Sequence, residues 1–169
     1  MNLLLLTGPP GCGKSTFIEN NKLEEITVCP DNLRIEIGGL VETIIDGVST
    51  IGINQQVSQQ AFSKAFQQIE SLMETKSNVI LDATNTGNRS TKNINRLAEK
   101  YKYNVIHIDV LENLTVDELL DRNKNRIEYK RVPEQIIKAS YEDMMNLKEN
   151  NYFEREVISI NEAIELLNK

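Results

Sequence analysis

Leu3, Leu4, Leu5, Leu6 and Thr7 run directly into Gly8-Pro9-Pro10-Gly11-Cys12-Gly13-Lys14-Ser15. Together they match G-x-x-x-x-G-K-[ST] in full, with an apolar strand before the glycines and a helix after them. No other stretch narrows the possible folds as much. The strand must be buried, and its C-terminal end must meet the start of a helix, predicted over residues 15–21. Gly8, Gly11 and Gly13 allow the backbone to turn so that its N–H groups point inward and cradle phosphate oxygens. The helix adds its positive dipole end. Lys14 then reaches the β- and γ-phosphates, and the Ser15 hydroxyl ligates Mg²⁺. Thr16 stands where it bonds an α- or β-phosphate oxygen. Cys12 fills a variable position in the loop. ATP, or another nucleoside triphosphate, with Mg²⁺ is the expected ligand pair.

The rest of the chain alternates short apolar runs with longer helical stretches, which predicts an α/β protein with a parallel sheet. Further strands are expected at 25–29, 78–82, 104–110 and 157–160. Helices are expected at 55–75, 91–101, 116–125 (opened by Thr115), 134–147 (after Pro133) and 162–167. Gly38-Gly39 and residues 47–52 mark the loosest region. At 169 residues the chain fits one domain, 1–169. Its 19 basic and 25 acidic residues give a net charge of −6, which excludes a globally basic nucleic-acid coat but not a local basic groove. No Trp and 5% aromatics argue against an aromatic stacking platform. No apolar run approaches the ~18 residues of a membrane span. Residues 1–6 lack the basic n-region of a signal peptide and read as a buried strand. Cys12 and Cys29 form neither a disulfide framework nor a metal-ligand spacing, so a reduced, cytoplasmic protein is expected.

A phosphate loop names the ligand, not the reaction. Val79-Ile80-Leu81-Asp82 is an apolar strand ending in Asp, but Ala83 follows where water-using ATPases commonly carry Glu. That favours transfer to an organic hydroxyl. At the end of the second strand, Asp31 and Arg34 would share one helical face at i, i+3. In a parallel sheet they would face the same crevice as the loop. Asp31 would accept a hydroxyl proton, and Arg34 would grip an anionic acceptor bidentately. Arg122-Asn123-Lys124-Asn125-Arg126 with Lys130-Arg131 is the densest basic run of an acidic chain. It suits a helical lid over the donor, about residues 113–133, and Arg122 and Arg126 lie one turn apart. His107, Tyr101, Tyr103 and Phe66 read as packing, and Lys92 with Arg96 as a solvated face.

In Gly8–Thr16, Asp31-Asn32-Leu33-Arg34, Leu81-Asp82-Ala83-Thr84-Asn85, Arg122–Arg126 and Val132-Pro133, the chain resembles the 5′-kinase domain of phage-type polynucleotide kinase. That family sits within the broader P-loop kinases, which include gluconate kinases and zeta toxins. The resemblance implies a P-loop NTPase kinase fold, with four to five parallel strands flanked by helices and a helical lid. It implies transfer of the ATP γ-phosphate to the 5′-hydroxyl end of DNA or RNA. On that basis Lys14 and Ser15 hold donor phosphates and metal, and Asp31 is the general base. Arg34 grips the phosphate 3′ of the terminal nucleoside. Asp82 either orients Arg34 or holds Mg²⁺ through water. Thr84, Asn85 and Arg89 line the acceptor path, Arg126 meets the transferred phosphate, and Arg122 contacts the nucleotide. The chain is too short to carry the phage enzyme's phosphatase domain, so 3′-end healing is not expected. The residues leave open a P-loop small-molecule kinase (nucleoside, sugar acid or antibiotic) and a nucleotide-binding switch or toxin-like interaction protein. A kinase acting on a modified base within duplex DNA is a variant of the first reading.

Overall fold

The structure, a computed structural model, describes residues 1–87, 91–151 and 155–168. Five parallel strands form the sheet: β1 (Asn2–Thr7), β2 (Thr27–Val28), β5 (Val79–Asp82), β6 (Asn104–Asp109) and β7 (Glu156–Ile158), in the order β2-β5-β1-β6-β7. The four leucines explain why β1 is central. Side chains alternate across a strand, so a leucine at every position feeds both faces of the sheet. Leu4 and Leu6 join Phe17, Ile18, Leu119, Ile137, Met144 and Ala163 on one side. These belong to α1 (Lys14–Asn20), α5 (Val116–Lys124), α6 (Glu134–Glu149) and α7 (Ile160–Leu167). Leu3 and Leu5 join Leu33, Ala61, Ala65, Ile69, Met73, Ile94 and Leu97 on the other. These come from α2 (Pro30–Gly38), α3 (Ser58–Glu74) and α4 (Thr91–Tyr101).

One expectation needs correction. The segment read as the loosest part of the chain is an antiparallel hairpin, β3 (Leu40–Ile45) and β4 (Val48–Ile53). Its turn is Asp46-Gly47, with φ of 50° and 82°. Two successive positive φ values make the tight loop whose twist matches the flanking strands, and Asp-Gly is a favoured pair for it. The hairpin stands apart from the main sheet. Leu40, Ile44 and Ile51 on one of its faces are exposed.

His107, the only histidine, is 1% exposed on β6. The Thr7 hydroxyl donates its proton to the Leu5 carbonyl, so the ring Nδ1–H donates to Thr7 Oγ1 at 2.8 Å. Burial, with Arg155 adding repulsion, pushes His107 down to about 4. The unfolded chain therefore binds one more proton than the folded one between about pH 6.5 and 4, and stability falls as pH drops through that window. The expected loss is about 3 kcal/mol at 1.36 kcal/mol per pH unit. Urea unfolding across this range should show it, and His107→Gln should remove the part of the slope above pH 5. An unchanged slope in that variant would assign the effect to carboxylates.

Candidate active site

The phosphate loop joins β1 to α1. Gly8, Gly11 and Gly13 all have positive φ. Gly8 must also lack a side chain, because a Cβ there would lie 2.7 Å from Cys12 Sγ. The Gly8 N–H donates to the Thr84 carbonyl at 3.0 Å, which ties the loop to the end of β5. Lys14 Nζ donates to the carbonyls of Gly8 (2.7 Å) and Pro9 (3.0 Å), so its ammonium lies across the loop. Ser15 and Thr16 are exposed at the first turn of α1.

Asp31 and Arg34 lie on α2, which follows the C-terminal end of β2. Pro30 starts the helix, where its fixed φ and missing N–H cost nothing. The two side chains form an ion pair. Arg34 is the more enclosed partner: its Nε donates to Ser58 Oγ at 2.9 Å, and its guanidinium lies 5.4 Å from the centre of the Phe62 ring. Ser58 and Phe62 belong to α3, whose register no local pattern near Arg34 reveals. Both are partners that sequence reasoning missed.

Asp82 ends β5 and lies between the loop and α2. Burial raises its carboxyl, against the pull of Lys14 and a hydrogen bond from the Cys29 thiol; Asp31 adds to the rise, while Lys130 opposes it. Arg34 has Ser58, Phe62 and Asp31 as partners. Cys29 is pushed up to about 12, first by burial and then by Asp82. Burial also raises Cys12, although Lys14 opposes it. Neither thiol is a ready nucleophile.

Asn85 (φ 52°) is buried, and its Nδ2 donates to the carbonyls of Leu6, Leu81 and Ala83 at 2.9, 3.1 and 3.3 Å. It clamps the ends of β1 and β5, so it supports the site from behind instead of facing an open acceptor path. Thr84 is exposed. Arg89 lies outside the described residues.

The basic run begins in the last turn of α5, whose start is a capping box between Thr115 and Glu118. Arg122 lies against the loop and makes a long hydrogen bond, 3.4 Å, to the Gly11 carbonyl. Asn123 is buried and exchanges two hydrogen bonds with the backbone of Val132, at 2.9 and 3.2 Å. That pair closes residues 123–132 into a compact turn. Arg126 points inward from it, and Arg131 Nε braces its carbonyl at 3.0 Å. Burial weighs against the Arg126 charge, while Asp31, Cys12 and Asp82 favour it, in that order. Its Nη1 is buried with no hydrogen-bond partner among the described residues. A buried guanidinium N–H costs stability until an acceptor reaches it.

Among the described residues, no group of three or more His, Cys, Asp or Glu side chains converges as a metal site. Ser15, in the first turn of α1, offers a hydroxyl, and Asp82, at the end of β5, a carboxylate. This sparse, hard set fits Mg²⁺, which takes one or two carboxylates and completes its shell with phosphates and water. Among those residues, no helix is long and apolar enough to cross a membrane.

The fold is shared with known proteins. A family model described as AAA domain matches residues 3–149. No curated protein matches the chain. Among solved structures, a chain of the Pnkp1/Rnl/Hen1 RNA repair complex superposes with a TM-score of 0.67 and 24% identity over 88% of this chain. The match spans about 45% of that longer chain. A candidate kinase from Chloroflexus aurantiacus J-10-fl superposes with a TM-score of 0.62 and 12% identity, covering 99% of this chain and 96% of its own. These likenesses are of fold, an α/β architecture on one parallel sheet, and with the family model matching residues 3–149, the chain belongs to the AAA domain family.

Proposed function

We propose that the chain is a kinase that transfers the γ-phosphoryl group of ATP to the 5′-hydroxyl end of a polynucleotide, with residues 113–133 as its lid. The carrying observation is the Asp31–Arg34 pair held by Ser58. It sets a proton acceptor beside a cation with a fixed fork geometry, which suits an alcohol that also bears a phosphate. The similarity to a chain from an RNA repair complex agrees with such an acceptor.

In the mechanism, the loop N–H groups, Lys14 and Thr16 hold the donor phosphates. Ser15 and Asp82 would hold Mg²⁺, which when bound neutralises charge on the β- and γ-phosphate oxygens. Arg34 draws in the phosphate 3′ of the terminal nucleoside, which brings the 5′-oxygen to Asp31. The bond from the 5′-oxygen to γ-phosphorus forms in line as the bond to the β,γ-bridging oxygen breaks. The hydroxyl proton passes to the Asp31 carboxylate, and ADP leaves. The transition state is loose, so positioning and charge stabilisation outweigh base strength. Arg126 offers its unpartnered N–H to the oxygens on which charge spreads, and Arg122 steadies the donor.

The test is transfer of labelled γ-phosphate from ATP and Mg²⁺ to three acceptors: a 5′-hydroxyl oligonucleotide, a nucleoside 3′-monophosphate and a bare nucleoside. Labelling of the first two but not the third is expected. Labelling of the bare nucleoside alone would make the protein a small-molecule kinase. No labelling of any, with ATP still bound, would overturn the acceptor assignment.

A further inference from the structure

The β3–β4 hairpin is held at its base, along β4 and at its turn. At its base it continues from α2: the Gly39 N–H donates to the Ile35 carbonyl at 2.9 Å, and the Asn54 N–H donates to the Gly39 carbonyl at 3.3 Å. Asn54 Nδ2 donates to the Gly38 carbonyl. Midway along β4 it meets the segment that carries Arg126. Thr50 Oγ1 donates to Glu128 Oε1 at 2.6 Å, and the Ile51 N–H reaches the same oxygen at 3.5 Å. In the turn, both carboxylate oxygens of Asp46 accept from the Glu134 N–H at 3.2 Å. That N–H opens α6, whose N-cap is Pro133 with no side-chain cap of its own. The hairpin therefore supplies, from 88 residues away, the acceptor that this helix start lacks.

We propose that the hairpin is a strap joining the acceptor-side helix to the lid, and that Glu128 and Asp46 are positioning residues that set Arg126 over the transferred phosphate. Glu128 stands two residues from Arg126 and two from Lys130, the cation that acts on Asp82. Arg126 turns inward from this short turn while Glu128 turns outward to the hairpin. Fixing Glu128 therefore fixes the rotation of the turn and the depth of the guanidinium. The other end of the same bar is α2, with Asp31 and Arg34. One rigid body thus sets the spacing between the group that takes the proton and the group that meets the phosphoryl oxygens. The hairpin gives the two halves of the site a shared ruler, which neither the loop nor the sheet provides.

The assignment rests on the transfer reaction above, and two readouts separate them. Glu128→Ala should lower kcat roughly 10- to 100-fold, because small misplacements of a catalytic group cost about that much, while KM for ATP stays near wild type. Glu128→Gln should restore most of kcat, since both donors bind one oxygen that an amide carbonyl can replace. Thr50→Val should cause a similar loss, and the Thr50→Val/Glu128→Ala double variant should be no worse than either alone. Amides of residues 124–131 should exchange faster with deuterium in Glu128→Ala, with the thermal midpoint of the protein unchanged, and in Asp46→Ala, where loss of the α6 cap should also lower the midpoint by a few degrees. Wild-type kcat and wild-type exchange in Glu128→Ala would overturn the strap, as would equal losses in the Ala and Gln variants. If the wild-type protein labels no oligonucleotide, the acceptor assignment falls by itself, and the exchange comparison still decides the strap.

Discussion

Arg126→Ala is expected to lower kcat for phosphoryl transfer by roughly 10³-fold or more, the scale at which an inserted arginine acts on a transferring phosphoryl group. It should leave the fold intact. The ground for both halves is the same atom. Arg126 Nη1 is buried with no acceptor among the described residues, so the folded protein carries a desolvated N–H that contributes nothing to its own stability. Removing it relieves that cost, and the thermal midpoint should stay level or rise. The surrounding turn should survive, because its bonds come from Asn123 and from Arg131 to the backbone carbonyl of residue 126. Arg126→Lys should recover only part of the rate, since an ammonium is a point charge without the planar fork. Steady-state kcat, measured with melting curves, checks the pair of claims. Near-wild-type transfer, or a large fall in melting temperature, would remove Arg126 from the transferred phosphate.

The sheet and the loop were legible because their signals are local and redundant. Four leucines before a glycine turn admit little but a central strand, and the structure puts β1 there. The basic run stands out in the sequence by charge, but its shape does not. Asn123 looks like one polar residue among cations, yet it is buried and holds the turn by pairing with Val132. The partners of Arg34 were hidden for a different reason. Ser58 and Phe62 reach it from α3 across 24 residues or more of chain, and only the packing of α3 on α2 brings them there. The hairpin carries its own local signal. Its Asp46-Gly47 turn lies between two β-branched-rich runs, but the glycines at 38, 39, 47 and 52 suggest looseness when read as composition instead of position. At Gly52 the missing side chain is required by close packing, since a Cβ there would lie 2.7 Å from Thr43 Cγ2. The last helix shows the same lesson on a smaller scale. Ser159 and Glu162 form a capping box, which starts α7 at Ile160, two residues before the hydrophobic pattern alone suggests.

Asp31→Asn is expected to lower kcat by roughly 10²- to 10⁴-fold, the usual contribution of a positioned proton acceptor. The substitution is nearly isosteric, and the Asp31 side chain is about half exposed (54%), so folding should be unaffected. Its effect should divide from that of the neighbour it pairs with. Arg34 keeps Ser58 and Phe62 when the Asp31 charge is lost, so acceptor binding should persist and KM for the oligonucleotide should change little. Arg34→Ala should do the reverse. It removes the cation that reads the acceptor phosphate, so KM for a phosphate-bearing acceptor should rise while turnover at saturation falls less. A bare nucleoside, which offers Arg34 nothing, should be indifferent to that change. The two variants therefore test separate statements about one ion pair: Asp31 takes a proton, and Arg34 chooses the acceptor. If Asp31→Asn raised KM and spared kcat, Asp31 would be a partner that orients Arg34, and the proton would leave by another route. If Arg34→Ala left the preference for a 3′-phosphate unchanged, the acceptor's charge would be read elsewhere in the site, and the polynucleotide assignment would lose its main support.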